Sequence, residues 1–150
     1  MKKLFTILPL PALASVGILA VRLVAGTAFV YHGWDKIQDP FGWDDDKTAF
    51  PSILLALAAL SEFGGGIAWV LGFLTPLASL GLAATMGVAT WMHAIKEGHR
   101  FVDTTGGPSY ELPAVYLAIS ILLLLAGPGL VSLDRAVFGE RSRGKPPGPA

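Results

Sequence analysis

The stretch FGGGIAWVLGFLTPLASLGLAATMGVATWMHAI, residues 63–95, contains no Asp, Glu, Lys or Arg and is broken only at Gly72-Phe73-Leu74-Thr75-Pro76. Glu62 precedes it and Lys96 follows it. A helix needs about 20 predominantly apolar residues to cross a bilayer, so the stretch predicts two membrane helices joined by a short turn. Working outward, the apolar runs extend back to Pro51, and two further runs lie before and after the pair. The four predicted spans cover about 12–37, 51–73, 76–96 and 111–127. All are read as helices, because backbone in lipid must satisfy its hydrogen bonds within its own segment. The expected fold is all-α: a four-transmembrane-helix antiparallel bundle over residues 1–138, with a polar, disordered cytoplasmic tail over 139–150.

Composition supports that setting. Hydrophobic residues make up 53% of the 150 and charged residues only 15%, too few to cover a soluble domain of this size. The formal net charge is zero, so no basic field exists to attract nucleic acid. The absence of cysteine rules out disulfides, thiolate metal sites and thiol chemistry by the chain itself. Met1-Lys2-Lys3 and Ala12-Leu13-Ala14 look like parts of a signal peptide. The apolar run continues to Tyr31, which suits an uncleaved first membrane helix better.

Orientation is read from the basic residues. Lys2 and Lys3 at one end and Arg135, Arg141, Arg143 and Lys145 at the other predict cytoplasmic termini. The loop with Asp39, Asp44, Asp45 and Asp46 then faces out. Tyr31, Trp34, Trp43, Trp91 and Tyr110 are read as anchors at the outer interface, and Trp69 and Phe73 at the inner one. Small residues at four-residue spacing, Gly64-Ala68-Gly72 and Thr75-Ser79-Ala83-Gly87, predict close packing of the second span on the third.

A charge in the middle of a bilayer costs about 2.5–3.5 kcal/mol on insertion scales and normally faces a partner. Arg22 lies ten residues below His32, and Glu62 eleven below Pro51, both about 15 Å deep at about 1.5 Å per residue. Equal depth predicts a buried Arg22–Glu62 ion pair, serving either as a helix lock or as one wall of a ligand pocket. Arg22, Gly26, Phe29, Gly33 and Lys36 share one helical face, expected to be interior. A second polar group gathers at the outer end from His32, Asp35 and Lys36 of the first span, His93 and Lys96 of the third, and Tyr110 and Glu111 of the fourth. Two histidines at one level on different helices could ligate a metal or haem, or bond to the carbonyls of a quinone, with quinone placed ahead of haem. No metal site is expected, since the paired Glu-x-x-His pattern of di-iron bundles is absent, and His99 is read as a solvated loop residue. The chain also lacks phosphate-loop, dinucleotide, zincin and nucleophile-elbow motifs.

These residues together resemble the DoxX family of small four-helix membrane proteins: Arg22 with Gly26 and Phe29, His32-Gly33 with Lys36, Glu62 with Gly64-Gly65 and Gly72, His93, Glu111-Leu112 with Tyr116, and Gly127-Pro128-Gly129 leading to Asp134. The likeness covers about residues 20–134. Thr75-Pro76 departs from it, since many relatives carry an arginine after that turn. The resemblance implies a bacterial inner-membrane protein of a family often described as oxidoreductases. That family includes relatives of the small membrane subunit of thiosulfate:quinone oxidoreductase and members tied to oxidative-stress and thiol-handling partners. By resemblance the positions of interest are Arg22, His32, Lys36 and Glu62; the depth argument adds His93, and the outer polar group supplies Glu111 as a further ligand-binding candidate.

Three readings of activity follow. The first is a quinone-interacting membrane subunit of an oxidoreductase system, embedded in lipid, with electrons supplied by a redox partner subunit. The second is a non-catalytic anchor or assembly subunit that contacts a partner or a second copy of itself. The third, a small transporter, suffers from the uncharged third span.

Overall fold

The computed structural model describes residues 10–44 and 50–138. Lys2, Lys3, Asp45, Asp46 and the tail from residue 139 onward lie outside them, and so do the expectations attached to those residues. Helix α1 is Ala12–Gln38, α2 Ser52–Leu71, α3 Thr75–Trp91, α4 Glu111–Ala126 and α5 Leu133–Phe138. No strand occurs among the described residues, only an isolated bridge between Arg100 and Ser109. α1, α2 and the continuous helix Thr75–Lys96 are long and apolar enough to cross a membrane; α4 is apolar but shorter, at 16 residues.

Each boundary has a local cause. Pro11 and Pro51 stand at the N-caps of α1 and α2, where the missing N–H of proline costs nothing. α2 stops at Gly72, whose φ of 66° is left-handed; the Gly72 N–H donates to the Trp69 carbonyl and the Phe73 N–H to that of Ala68. This is the glycine C-cap pattern. Leu74 also has a positive φ, 50°, and Pro76 then sits in the first turn of α3. At its far end α3 widens into one π-helical turn, Met92–Lys96. α4 ends at Gly127, φ 77°, ahead of Pro128.

α1 packs along α2, α2 on α3, and α3 on α4, with a slighter contact between α1 and α4. α1 and α2 approach most closely through glycine. A methyl group at Gly26 would stand 2.8 Å from the Gly66 carbonyl oxygen, one at Gly66 would stand 2.7 Å from the Val30 nitrogen, and one at Gly33 would strike the Phe63 backbone. The packing stripe on α2 is therefore not the expected Gly64-Ala68-Gly72. A methyl at Gly64 would meet only Leu60 of its own helix, at 3.5 Å, whereas Gly65 faces Leu82 of α3. On α3, Thr75 and Ser79 are buried, but Gly87 has open space beside it.

Ile18, Phe29, Trp69, Leu82, Met86 and Leu123 form the buried core. Trp69 is fully buried, its indole N–H donating to Ser79 Oγ at 3.0 Å. It is a core residue bridging α2 and α3, not an interfacial anchor. Trp34, Trp91 and Tyr31 are exposed, as are Leu54, Leu57, Leu60, Leu80 and Leu125, the apolar exterior that lipid requires.

Candidate functional site

Arg22 and Glu62 do not meet. The Arg22 guanidinium, 1% exposed, spends its donors on four carbonyl oxygens: Nε on Trp69 at 2.8 Å, Nη2 on Val70 at 3.2 Å, and Nη1 on Pro128 at 2.6 Å and Val131 at 2.8 Å. Trp69 and Val70 belong to the last turn of α2, whose carbonyls carry the negative end of the helix dipole; that of Trp69 accepts from the Gly72 N–H as well as from Arg22. A five-donor planar cation suits that position; a lysine, with three donors on one atom, could not reach all four acceptors. The acidic group acting on Arg22 is Asp134. Asp134 is itself buried, and its carboxylate accepts from the Leu74 and Thr75 N–H groups at 2.7 and 2.9 Å, capping α3. The Asp134 N–H donates to the Gly72 carbonyl at 2.8 Å. Arg22 and Asp134 thus tie α1, the α2–α3 turn and the segment after α4 into one closed network.

Glu62 pairs with Lys36 instead. Lys36 Nζ donates to both carboxylate oxygens at 2.7 Å; the Glu62 side chain is 4% exposed and that of Lys36 26%. The depth arithmetic misplaced Glu62 because it set the outer ends of α1 and α2 level. Gly26 against Gly66 and Gly33 against Phe63 instead fix a register in which the end of α1 lies beside the middle of α2. Glu62 and the Arg22 acceptors at Trp69 and Val70 are then about two turns apart on α2, or about 11 Å. The chain after α1 folds over α2: the Trp43 indole N–H donates to the Leu55 carbonyl at 3.0 Å, and the Trp43 ring lies 4.6 Å from Lys36 Nζ. That cation–π contact and the carboxylate hold the ammonium from two sides.

The other sequence-chosen residues fall into separate places. His32 is exposed and meets the edge of Tyr116 from α4, centroids 6.2 Å apart; Tyr116 in turn packs on Phe29 at 4.7 Å. Glu111 is exposed in the first turn of α4, where a carboxylate complements the helix dipole. His93 joins neither His32 nor Lys36 in any contact described; its Nδ1 lies 2.8 Å from Glu97 Oε2 and 3.1 Å from His99 Nδ1. His99, read from sequence as solvated, is thus half of a stacked histidine pair whose rings are 5.3 Å apart. Sequence reasoning missed Asp134, Lys36 as the mate of Glu62, and the Glu97–His99 pair. The signals were present: Lys36 on the face of Gly26 and Gly33, and a histidine one residue beyond Gly98.

Beyond that cluster, Asp103 organises the loop before α4. It accepts from the Thr105 hydroxyl and the Thr105 and Gly107 N–H groups, which hold its carboxyl below the usual aspartate range.

A comparison with known families matches the DoxX model to residues 17–94. The chain belongs to the DoxX family. Among curated relatives from Escherichia coli (strain K12), inner membrane protein YqjF is 32% identical over 126 residues, covering 82% of this chain and 93% of the relative. Inner membrane protein YphA is 30% identical over 132 residues, covering 79% and 88%. No solved structure matches the chain. With its apolar helices, this DoxX protein is a multi-pass bacterial inner-membrane protein. Arg22, Lys36, Glu62 and His93 fall inside the DoxX match, whereas Glu97, His99 and Asp134 lie beyond it.

Proposed function

We propose that this DoxX protein is a quinone-interacting membrane subunit of an oxidoreductase system, and that Lys36 and Glu62 form its head-group contact. In the topology that goes with this reading, four antiparallel spans place both termini in the cytoplasm and the Lys36–Glu62 end outermost. The observation that carries it is a Glu62 side chain only 4% exposed, whose carboxylate is held by a lysine with 26% of its side chain open. Two of the three Lys36 donors are committed to Glu62, which leaves one for a carbonyl oxygen. His32 and Tyr116 add an aromatic edge on the neighbouring face of α1. Arg22 has no role in binding here, since it is buried with four of its five N–H donors on backbone carbonyls.

Reduction of a quinone to a quinol takes two electrons and two protons. The electrons come from a redox partner subunit, as the chain has no thiol of its own. Lys36 gives one proton to the oxygen it holds and is recharged from water at its exposed side, and the second oxygen takes the other proton from water. Glu62 compensates its charge and sets its position throughout.

The second reading, a non-catalytic anchor for a partner or a second copy, is favoured by one fact: Arg22 and Glu62 both find polar partners within the chain, so neither charge needs a ligand to be buried. Decylubiquinone titration separates the two. Saturable quenching of Trp43 fluorescence in the detergent-solubilised protein, absent in Trp43→Phe and weakened about tenfold or more in Lys36→Gln and Glu62→Gln, is expected of the quinone subunit. Wild-type protein that shows no saturable quenching but loses a co-purifying partner on Glu62→Gln substitution is an anchor.

A further inference from the structure

The geometry points to a divalent transition-metal site built from His93, Glu97 and His99, separate from the Lys36–Glu62 pair. His93 Nδ1, His99 Nδ1 and Glu97 Oε2 form a triangle with sides of 2.8, 3.1 and 3.2 Å. An ion about 2.05 Å from each atom, the ordinary distance for zinc with imidazole and carboxylate ligands, would sit about 1 Å above the plane of that triangle. Two imidazoles and one carboxylate on one side of an ion leave the remaining positions to water, the arrangement of open zinc and non-haem iron centres. Charge points the same way. Without an ion, both rings must turn an Nδ1–H onto the same Glu97 oxygen with the two nitrogens 3.1 Å apart, whereas an ion would take one lone pair from each of the three atoms.

The backbone is shaped to bring these atoms together. His93 lies within the single π-helical turn Met92–Lys96, and such turns concentrate at functional sites. Glu97 follows as the C-cap, its N–H donating to the Met92 carbonyl at 2.9 Å. Gly98 then takes a left-handed φ of 67°, although nothing lies within 4 Å of where a methyl group would stand. Glycine is required there for its backbone angle rather than for space. The reversal returns His99 across His93, and the His99 N–H donates to the His93 carbonyl at 2.9 Å. The three side chains are 22–39% exposed, so ions and water can reach them.

The chain offers a clean test, because it has three histidines and no cysteine. Tag-free, full-length protein in detergent is titrated with Co²⁺, followed by its visible d–d absorption, and then with Zn²⁺ as competitor. One Co²⁺ per chain is expected, displaced by Zn²⁺, with affinity falling about tenfold or more in His99→Ala and in the size-preserving Glu97→Gln. His32→Ala, the control, keeps wild-type binding. Helix content by circular dichroism shows that each variant is folded, and Glu97→Gln serves if His99→Ala is not. Absence of a d–d band in the wild type, binding unchanged in both cluster variants, or equal loss in His32→Ala would each overturn the assignment.

Discussion

At the scale of single residues, two buried charges a few turns apart on the same helix pair have opposite characters. Arg22 gives four of its five N–H donors to backbone carbonyls and lies in the field of Asp134; Lys36 with Glu62 is matched but open on one side. Removing one member of a buried charge network leaves the other uncompensated, at about 3–5 kcal/mol. Asp134→Asn is therefore expected to destabilise the protein by about 3 kcal/mol, since the amide also turns an N–H toward a backbone donor of α3. Unfolding in mixed micelles with increasing sodium dodecyl sulfate measures this, and Glu111→Gln, at an exposed helix start, should shift the midpoint little. An unchanged midpoint for Asp134→Asn would remove the network from the account of stability. The presence of interior charges at Arg22 and Glu62 was legible from sequence, because a bilayer makes any mid-span charge conspicuous. Their partners were not, since a partner depends on register, and hydropathy reports only where a span begins and ends.

Helix existence and limits were legible for the same reason: Pro11, Pro51, Gly72, Pro76 and Gly127 are chemical stops that act locally. Register between helices is decided by which glycines touch, and a Gly64-Gly65-Gly66 triplet points in three directions at about 100° per residue. Only Gly66 faces the backbone of α1. Gly66→Ala must push α1 and α2 apart, because the atoms it meets, the Val30 nitrogen at 2.7 Å and the Gly26 oxygen at 2.8 Å, are backbone and cannot rotate away. A loss of about 1–3 kcal/mol is expected. Gly64→Ala and Gly87→Ala find room and should be neutral or stabilising by up to about 1 kcal/mol through helix propensity. The same unfolding assay ranks the three, and equal effects would mean that the α1–α2 contact is looser than described. Because that contact also carries Gly33 beside Phe63, separating the helices should disturb the neighbouring Lys36–Glu62 pair before it disturbs α4.

Over the whole molecule, the buried network that closes the structure is separate from the two proposed sites. The Arg22–Asp134 network joins the start of α3, the end of α2 and the segment after α4; the Lys36–Glu62 pair lies near the end of α1, and the histidine cluster follows α3. Which end faces the cytoplasm depends on whether α4 crosses. Its 16 residues span about 24 Å, short of a hydrocarbon core of about 30 Å. The uncharged segment from Gly127 to Leu133 extends the apolar path, and its Pro128 and Val131 carbonyls are satisfied by Arg22, which is what non-helical backbone at membrane depth requires. A crossing by α4 puts Thr104 and Arg135 on opposite sides. The chain contains no cysteine, so Thr104→Cys and Arg135→Cys each report alone when intact cells are treated with a membrane-impermeant maleimide. With basic residues inside, Thr104→Cys should label in intact cells, and Arg135→Cys only after permeabilisation. Labelling of both before permeabilisation would show that α4 turns back without crossing, and the reverse pattern would put the histidine cluster and the Lys36–Glu62 pair on the cytoplasmic side, out of reach of periplasmic metal ions.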